Sequence, residues 1–392
     1  MLVFINNFIF LFDAQVTSNS NHIIMKKILS VLSVALLSIS MTATDKNVFS
    51  DKLNEESIKQ VCQAVSNWQI DNFADVKHKK AGWHNGALYI GMFHWAEYVQ
   101  DAKAADFLMG IGKELKWGLL GRTYHADDIC VGQMYIEMYK KHKKEKMIQP
   151  LKERAFYIAS HPSTAPLSKK DPVGKSARWS WADALFMAPP VYAALYTLTG
   201  EEVYRDYLIN EFKTCTDSLY DESESLYYRD CKRIGLKEAN GTKQFWGRGN
   251  GWVFGGIPLI LNNLPADDPE RPYFEKIFKE MADAILKTQD KDGHWHASLL
   301  DPDSYPTPEN SCSGFFCYGL AWGINNGILD GAKYKKALKK GWSGLVDSVN
   351  PNGKLGFVQP VGAAPDKVTK ESTDVYGVGS FLLAGVEILK ML

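Results

Sequence analysis

Asp183 stands in the apolar run Trp181-Ala182-Asp183-Ala184-Leu185-Phe186-Met187. A carboxyl among such neighbours loses water, which raises its pKa and suits it to act as a general acid. Aspartate is also a preferred helix N-cap, so a capping role competes with the chemical one. Asp127 and Asp128 open another apolar segment, and either supplies the second carboxylate of an acid/base pair. Adjacent helical residues point about 100° apart, so only one of the two faces a common cleft; Asp128 is the favoured one. Arg248 lies in Trp246-Gly247-Arg248-Gly249-Asn250-Gly251-Trp252. Its planar guanidinium matches a sugar carboxylate in a bidentate pair. The glycines around it suggest a close approach to the backbone. Trp252, four residues on, shares the helical face of Arg248 if the helix has begun there, and offers a stacking platform. His294 and His296 are two apart and do not converge on a helix, so they read as turn residues. No metal and no cofactor is expected, and neither dinucleotide nor P-loop spacing is present.

These side chains need a scaffold that brings distant segments together. Amphipathic segments recur at 55–73, 84–100, 102–115, 128–141, 147–160, 182–198, 202–217, 250–263, 271–288, 313–327, 333–347 and 375–391. Alternate segments differ in kind. Gly86–Met92, Gly132–Ile136, Asp183–Ala188, Gly251–Gly256, Gly314–Gly319 and Gly377–Leu382 are apolar nearly all round, whereas the segments between them carry charged stripes such as Glu275–Glu280. A helix apolar on all sides must be buried, and one with a polar stripe faces water. The expectation is an all-α chain folded as an (α/α)6 barrel, six buried helices inside six half-exposed ones, with short strands near 225–233 and 355–361. Inner helices of such a barrel run the same way. Their lead-ins therefore meet at one mouth: Trp83-His84-Asn85, Tyr124–Asp128, Trp179–Asp183, Trp246–Asn250, Glu309–Ser311 and Glu371–Asp374. Six helix N-termini directed into that mouth favour an anionic ligand.

Lys+Arg and Asp+Glu are equal at 45 each, so the basic excess that marks nucleic-acid or anionic-membrane partners is missing. Aromatic residues make up 12% of the chain, which tilts the prior toward carbohydrate without deciding it. Met25-Lys26-Lys27 precedes an apolar run, Ile28–Ile39, and a small-residue site ending at Ala43. That is the pattern of a signal peptide at 25–43, with residues 1–24 an upstream mis-called start. It implies secretion, by default into a periplasm, and leaves 44–392 as one catalytic domain. Of the cysteines, Cys215 and Cys231 are the most plausible disulfide pair and most of the rest read as buried thiols.

The segment Trp181–Pro190, the Arg248-Gly249-Asn250-Gly251-Trp252 motif and Asp127-Asp128…Gly132-Gln133 resemble the unsaturated glucuronyl and rhamnogalacturonyl hydrolases of glycoside hydrolase families 88 and 105, the latter most closely. Gly314-Phe315-Phe316 and Ala321-Trp322-Gly323 fit the same likeness, which spans roughly 55–390. The resemblance implies an exo-acting enzyme on oligosaccharides left by polysaccharide lyases, which carry a terminal 4,5-unsaturated uronate. It implies Asp183 as acid/base, Asp128 (or Asp127) as assisting carboxylate, and Arg248 and Trp252 at the unsaturated sugar. Trp246, Asn250, Trp181, His84 and Asn85 join them as lead-in residues of the same mouth. One departure is visible: Leu226-Tyr227-Tyr228-Arg229-Asp230 lacks the histidine common in family members acting on rhamnogalacturonan. Arg229 takes that place as a second cation. The rival readings are an inverting two-carboxylate glycosidase on intact polysaccharide, a sugar epimerase on the same barrel, and a non-catalytic binding protein.

Overall fold

The alternation of apolar and striped segments reappears as two concentric rings of helices in the computed structural model, which describes residues 48–167 and 178–392. The expected leader and the stretch before it lie outside these described residues. Phe49–Leu392 form one compact unit. The striped helices are α1 (Glu55–Asp71), α3 (Ala102–Glu114), α5 (Gln149–Ser160), α8 (Glu202–Leu219), α10 (Arg271–Thr288) and α12 (Gly331–Asp347). Between them run the buried helices α2 (Trp83–Val99), α4 (Gly132–His142), α6 with α7 (Ala184–Met187, Pro189–Thr199), α9 (Gly247–Leu261), α11 (Asn310–Asn325) and α13 (Val375–Leu389). α2 packs on α4 and α13, α13 on α11, α11 on α9, and α9 on α6 and α7, which with α4 on α7 closes the inner ring. This is the expected (α/α)6 barrel.

Local chemistry sets the helix starts. Asn54, Asp101 and Asp330 each accept a hydrogen bond from a backbone N–H in the first turn of α1, α3 and α12, satisfying donors that the helix itself leaves open. The inner ring needs room as well as caps. A Cβ on Gly91 of α2 would lie 2.1 Å from the Gly379 carbonyl of α13, and one on Gly379 would lie 2.1 Å from that of Ala87. Both positions must be glycine for these two helices to touch.

The structure departs from the expected boundaries at the mouth. The segment 128–141 opens as a 3-10 turn, Ala126–Ile129, before α4 begins. The segment 182–198 is broken at Ala188, because Pro189 and Pro190 follow it. α9 starts three residues early, which places Arg248 inside its first turn. Among the described residues, strand structure is limited to β1 (Tyr220–Asp221), paired antiparallel with β2 (Leu226–Tyr227), and to isolated bridges that include Trp181 with Asp230 and Val349 with Leu355.

Candidate active site

The Trp181–Asp230 bridge, with the Ala182 N–H donating to the Arg229 carbonyl at 2.8 Å, lays the lead-in of α6 alongside the segment that follows β2. Asp183 and Arg229 are thereby fixed side by side, with Arg229 Nε 3.4 Å from Asp183 Oδ2. Asp183 begins the α6 turn but its side chain makes no capping hydrogen bond. The residue is 7% exposed, and Oδ2 is buried with no hydrogen-bond partner. Burial pushes its pKa up, opposed by the Arg229 and Arg248 guanidiniums.

Asp127 is the second carboxylate that feels Asp183. Burial, then the nearby Asp183 charge, lift its pKa to about 7. Its side chain keeps 15% exposure, with His125 Nδ1 3.5 Å and Arg122 Nη2 3.6 Å from Oδ2. Asp128 differs. Its Oδ2 accepts the Arg122 N–H at 2.8 Å, and its Oδ1 accepts Arg122 Nε at 3.0 Å and Nη2 at 2.5 Å. Asp128 borders an open groove of about 480 Å³, yet both its oxygens are engaged. The two aspartates of the 3-10 turn thus differ: Asp127 feels the Asp183 charge, while Asp128 lines the groove with both oxygens held by Arg122.

Arg248 is fully buried. Its guanidinium lies between two aromatic faces, 4.5 Å from the Trp246 ring and 4.8 Å from that of Tyr376. Nη1 donates to the Gln359 carbonyl at 2.5 Å and Nη2 to the Pro360 carbonyl at 2.9 Å, while Nε has no partner. Its hydrogen-bond acceptors are thus neutral carbonyls, which leaves donors free for an incoming anion. Gln359 ties the arrangement together. Its side chain accepts from Trp246 Nε1 at 2.9 Å, its N–H donates to buried Glu309 at 3.0 Å, and its carbonyl also accepts from the Tyr376 hydroxyl at 2.5 Å. No sequence signal marked Gln359, which sits in a loop with no motif; Tyr376 was within reach, two residues past the Asp374 lead-in.

His84 stacks on His78 at 3.8 Å and on Trp83 at 3.7 Å, and burial followed by the His78 charge holds its pKa down to about 3. It is a neutral ring at the mouth, beside His78, whose Nε2 lies 2.8 Å from Asp374 Oδ1. Trp181, buried, meets the His125 ring at 4.9 Å.

Three expected binding residues make their contacts within the protein. Asn250 accepts from the Tyr227 N–H at 2.8 Å and donates to the Tyr227 and Trp246 carbonyls, each at 3.0 Å, pinning β2 to α9. Asn85 is buried and donates to the Lys79 carbonyl at 3.0 Å. Trp252 has no open ring face: it is fully buried against Phe186 and Phe315, with ring centroids 4.9 and 4.7 Å away. The glycines of its motif admit protein, since a Cβ on Gly247 would lie 2.5 Å from the His296 carbonyl. His296, expected in a turn, instead forms an antiparallel bridge with Pro308, with Nε2 3.0 Å from Asp290 Oδ2. Cys215 is a buried free thiol, near the Trp181 carbonyl, so the expected pairing with Cys231 does not form.

The family model described as Glycosyl Hydrolase Family 88 matches residues 57–392. The chain belongs to glycosyl hydrolase family 88. Two curated relatives are each named unsaturated 3S-rhamnoglycuronyl hydrolase. One, from Alteromonas sp. (strain LOR), is 35% identical over 86% of each chain. The other, from Formosa agariphila, is 38% identical over 79% of this chain and 84% of its own. Among solved structures, a family 88 glycosyl hydrolase from Bacteroides vulgatus superposes with a TM-score of 0.78 at 29% identity, over 86% of this chain and 99% of that one. The family 88 assignment and the barrel agree with the likeness seen in the sequence motifs.

Proposed function

We infer that this family 88 enzyme removes a terminal 4,5-unsaturated uronate from oligosaccharides made by polysaccharide lyases. The observation that carries the reading is Asp183: a buried carboxyl with one oxygen unbonded, its pKa raised, set beside two arginines and a second carboxylate. An acid that must be protonated near neutral pH and a cation that must receive a carboxylate are the two requirements of vinyl-ether hydration. Protonated Asp183 gives its proton to C4, and oxocarbenium character develops at C5. Water adds to C5 and returns a proton to the carboxylate pair. The C5 hemiketal opens to a ketone, which leaves C1 as a hemiacetal that releases the leaving sugar. Water does not attack C1, so the carboxylate-separation rule for ordinary glycosidases does not apply.

Asp127 is the assisting carboxylate in this scheme, and Arg248 and Arg229 receive the uronate. The leaving sugar we assign is that of a 3S-rhamnoglycuronyl unit, ahead of rhamnogalacturonan. The two relatives at 35% and 38% identity carry that name. The open groove beside Arg122 and His84 has Lys77 and Lys79 exposed on its rim, a cationic border suited to a charged leaving sugar. The leader expected at residues 25–43 fits an exported enzyme. The test is ultraviolet absorbance of a panel of lyase products on adding enzyme: 3S-rhamnoglycuronyl, rhamnogalacturonan, pectin and glycosaminoglycan fragments. The conjugated band decays with the first. Decay with none of them returns the two-carboxylate glycosidase to the front.

A further inference from the structure

Helix α6 is a single turn because Pro189 and Pro190 have no N–H to donate, and in a regular helix those groups would bond the carbonyls of Leu185 and Phe186. The next donor, Val191 N–H, bonds the Ala188 carbonyl at 2.9 Å instead of that of Met187. The turn that begins at Asp183 therefore ends with three carbonyls its own helix does not use. A Cβ on Gly256 would lie 2.5 Å from the Leu185 carbonyl, so α9 presses against the first of them. Gln133 of α4 takes the other two: Nε2 donates to Phe186 O at 2.8 Å and to Met187 O at 3.3 Å. Gln133 is 4% exposed, and its Oε1 has no partner. Its donor end is thus committed to the floor of the Asp183 turn, and it comes from the helix that follows the Asp127 turn.

We propose that Gln133 is a positioning residue for the reaction: it sets the pitch of the Asp183 turn, and so the aim of the acid, while linking that turn to the segment carrying Asp127. Misplacing a reacting group by about 1 Å costs roughly a hundredfold in rate. The proposal rests on Asp183 being the acid. Gln133→Leu keeps the bulk and removes the donor. Its kcat falls about 10- to 100-fold while KM for the disaccharide stays within about twofold, because neither Arg248 nor Arg229 has moved. Gln133→Glu supplies a second readout. Only its protonated form has an O–H to give the Phe186 carbonyl, so the ratio of variant to wild-type kcat climbs toward one as pH falls. A packing role moves the melting temperature of either variant without producing that pH-dependent recovery.

The proposal is overturned if folded Gln133→Leu keeps wild-type kcat, or if the Glu variant shows a ratio independent of pH. It is also overturned if neither variant folds, since the barrel would then need Gln133 for more than this turn. An active Asp183→Asn would instead remove the proposed function itself, which separates the two failures.

Discussion

Asp128 and Asp183 are both buried aspartates at the start of an inner helical segment, and both have an arginine beside them. Arg122 gives Asp128 three hydrogen bonds, one of them from its backbone. Arg229 stands 3.4 Å from Asp183 and spends its closer contact, 2.8 Å, on Asp230. The first aspartate is saturated, and burial costs it little because each oxygen is solvated by protein. The second keeps an unbonded oxygen in the dry interior, an expense that a fold maintains where a substrate will complete the site. The same residue pair thus serves as a structural clamp or, in the role proposed for Asp183, as an acid, according to how many donors the neighbouring loop supplies.

Breaking the open member of this comparison has the largest expected effect. Asp183→Asn removes the proton donor, and turnover drops about 10³-fold or more, within reach of what general acid catalysis supplies; helix content by circular dichroism stays unchanged. Asp127→Asn lowers kcat by about 10²-fold and moves the alkaline limb of the pH–rate profile down. The sign follows from the repulsion between the two carboxylates, which keeps a proton on the pair to higher pH. Arg229→Gln moves that limb up, because the guanidinium that favours the Asp183 carboxylate is gone, and kcat/KM falls about tenfold with the loss of a uronate contact. Asp128→Asn has the reverse signature of Asp127→Asn. Its kcat changes by less than about fivefold, while the melting temperature falls by a few degrees, consistent with ~1 kcal/mol for an ion pair whose arginine is more than half exposed. Trp252→Phe has the smallest effect, under about threefold in KM, since no face of the indole is open to sugar.

The barrel was legible in the sequence because burial leaves a compositional mark: a helix enclosed by other helices has no polar stripe, and alternation of the two kinds counts the hairpins. Asp183 and Arg248 were legible for a related reason, being charged residues inside apolar lead-ins. Asp127 and Asp128 were not separable. Their difference depends on a 3-10 turn and on Arg122, six residues upstream of Asp128 with no periodic relation to it. The burial of Trp252 was not legible, because a helical face was read without the neighbours that cover it, and α9 is enclosed on all sides. Asn250 shared the mouth by position yet spends its hydrogen bonds on backbone, whereas Asn85 gives its amide N–H to the Lys79 carbonyl and leaves Oδ1 without a partner. Gln359 in its loop reaches back 111 residues to Arg248 at the α9 start and 50 residues to Glu309 at the α11 start, distances over which spacing carries no information.

The central claim, that Asp183 protonates C4 and water does not attack C1, is tested most directly by quenching an unsaturated disaccharide reaction early. The loss of ultraviolet absorbance is then measured against the released reducing sugar. Chromophore loss equals or precedes sugar release at every time point, and both vanish in Asp183→Asn. Sugar released while the chromophore persists would contradict it, because the glycosidic bond would then have been cut at C1 with the double bond intact.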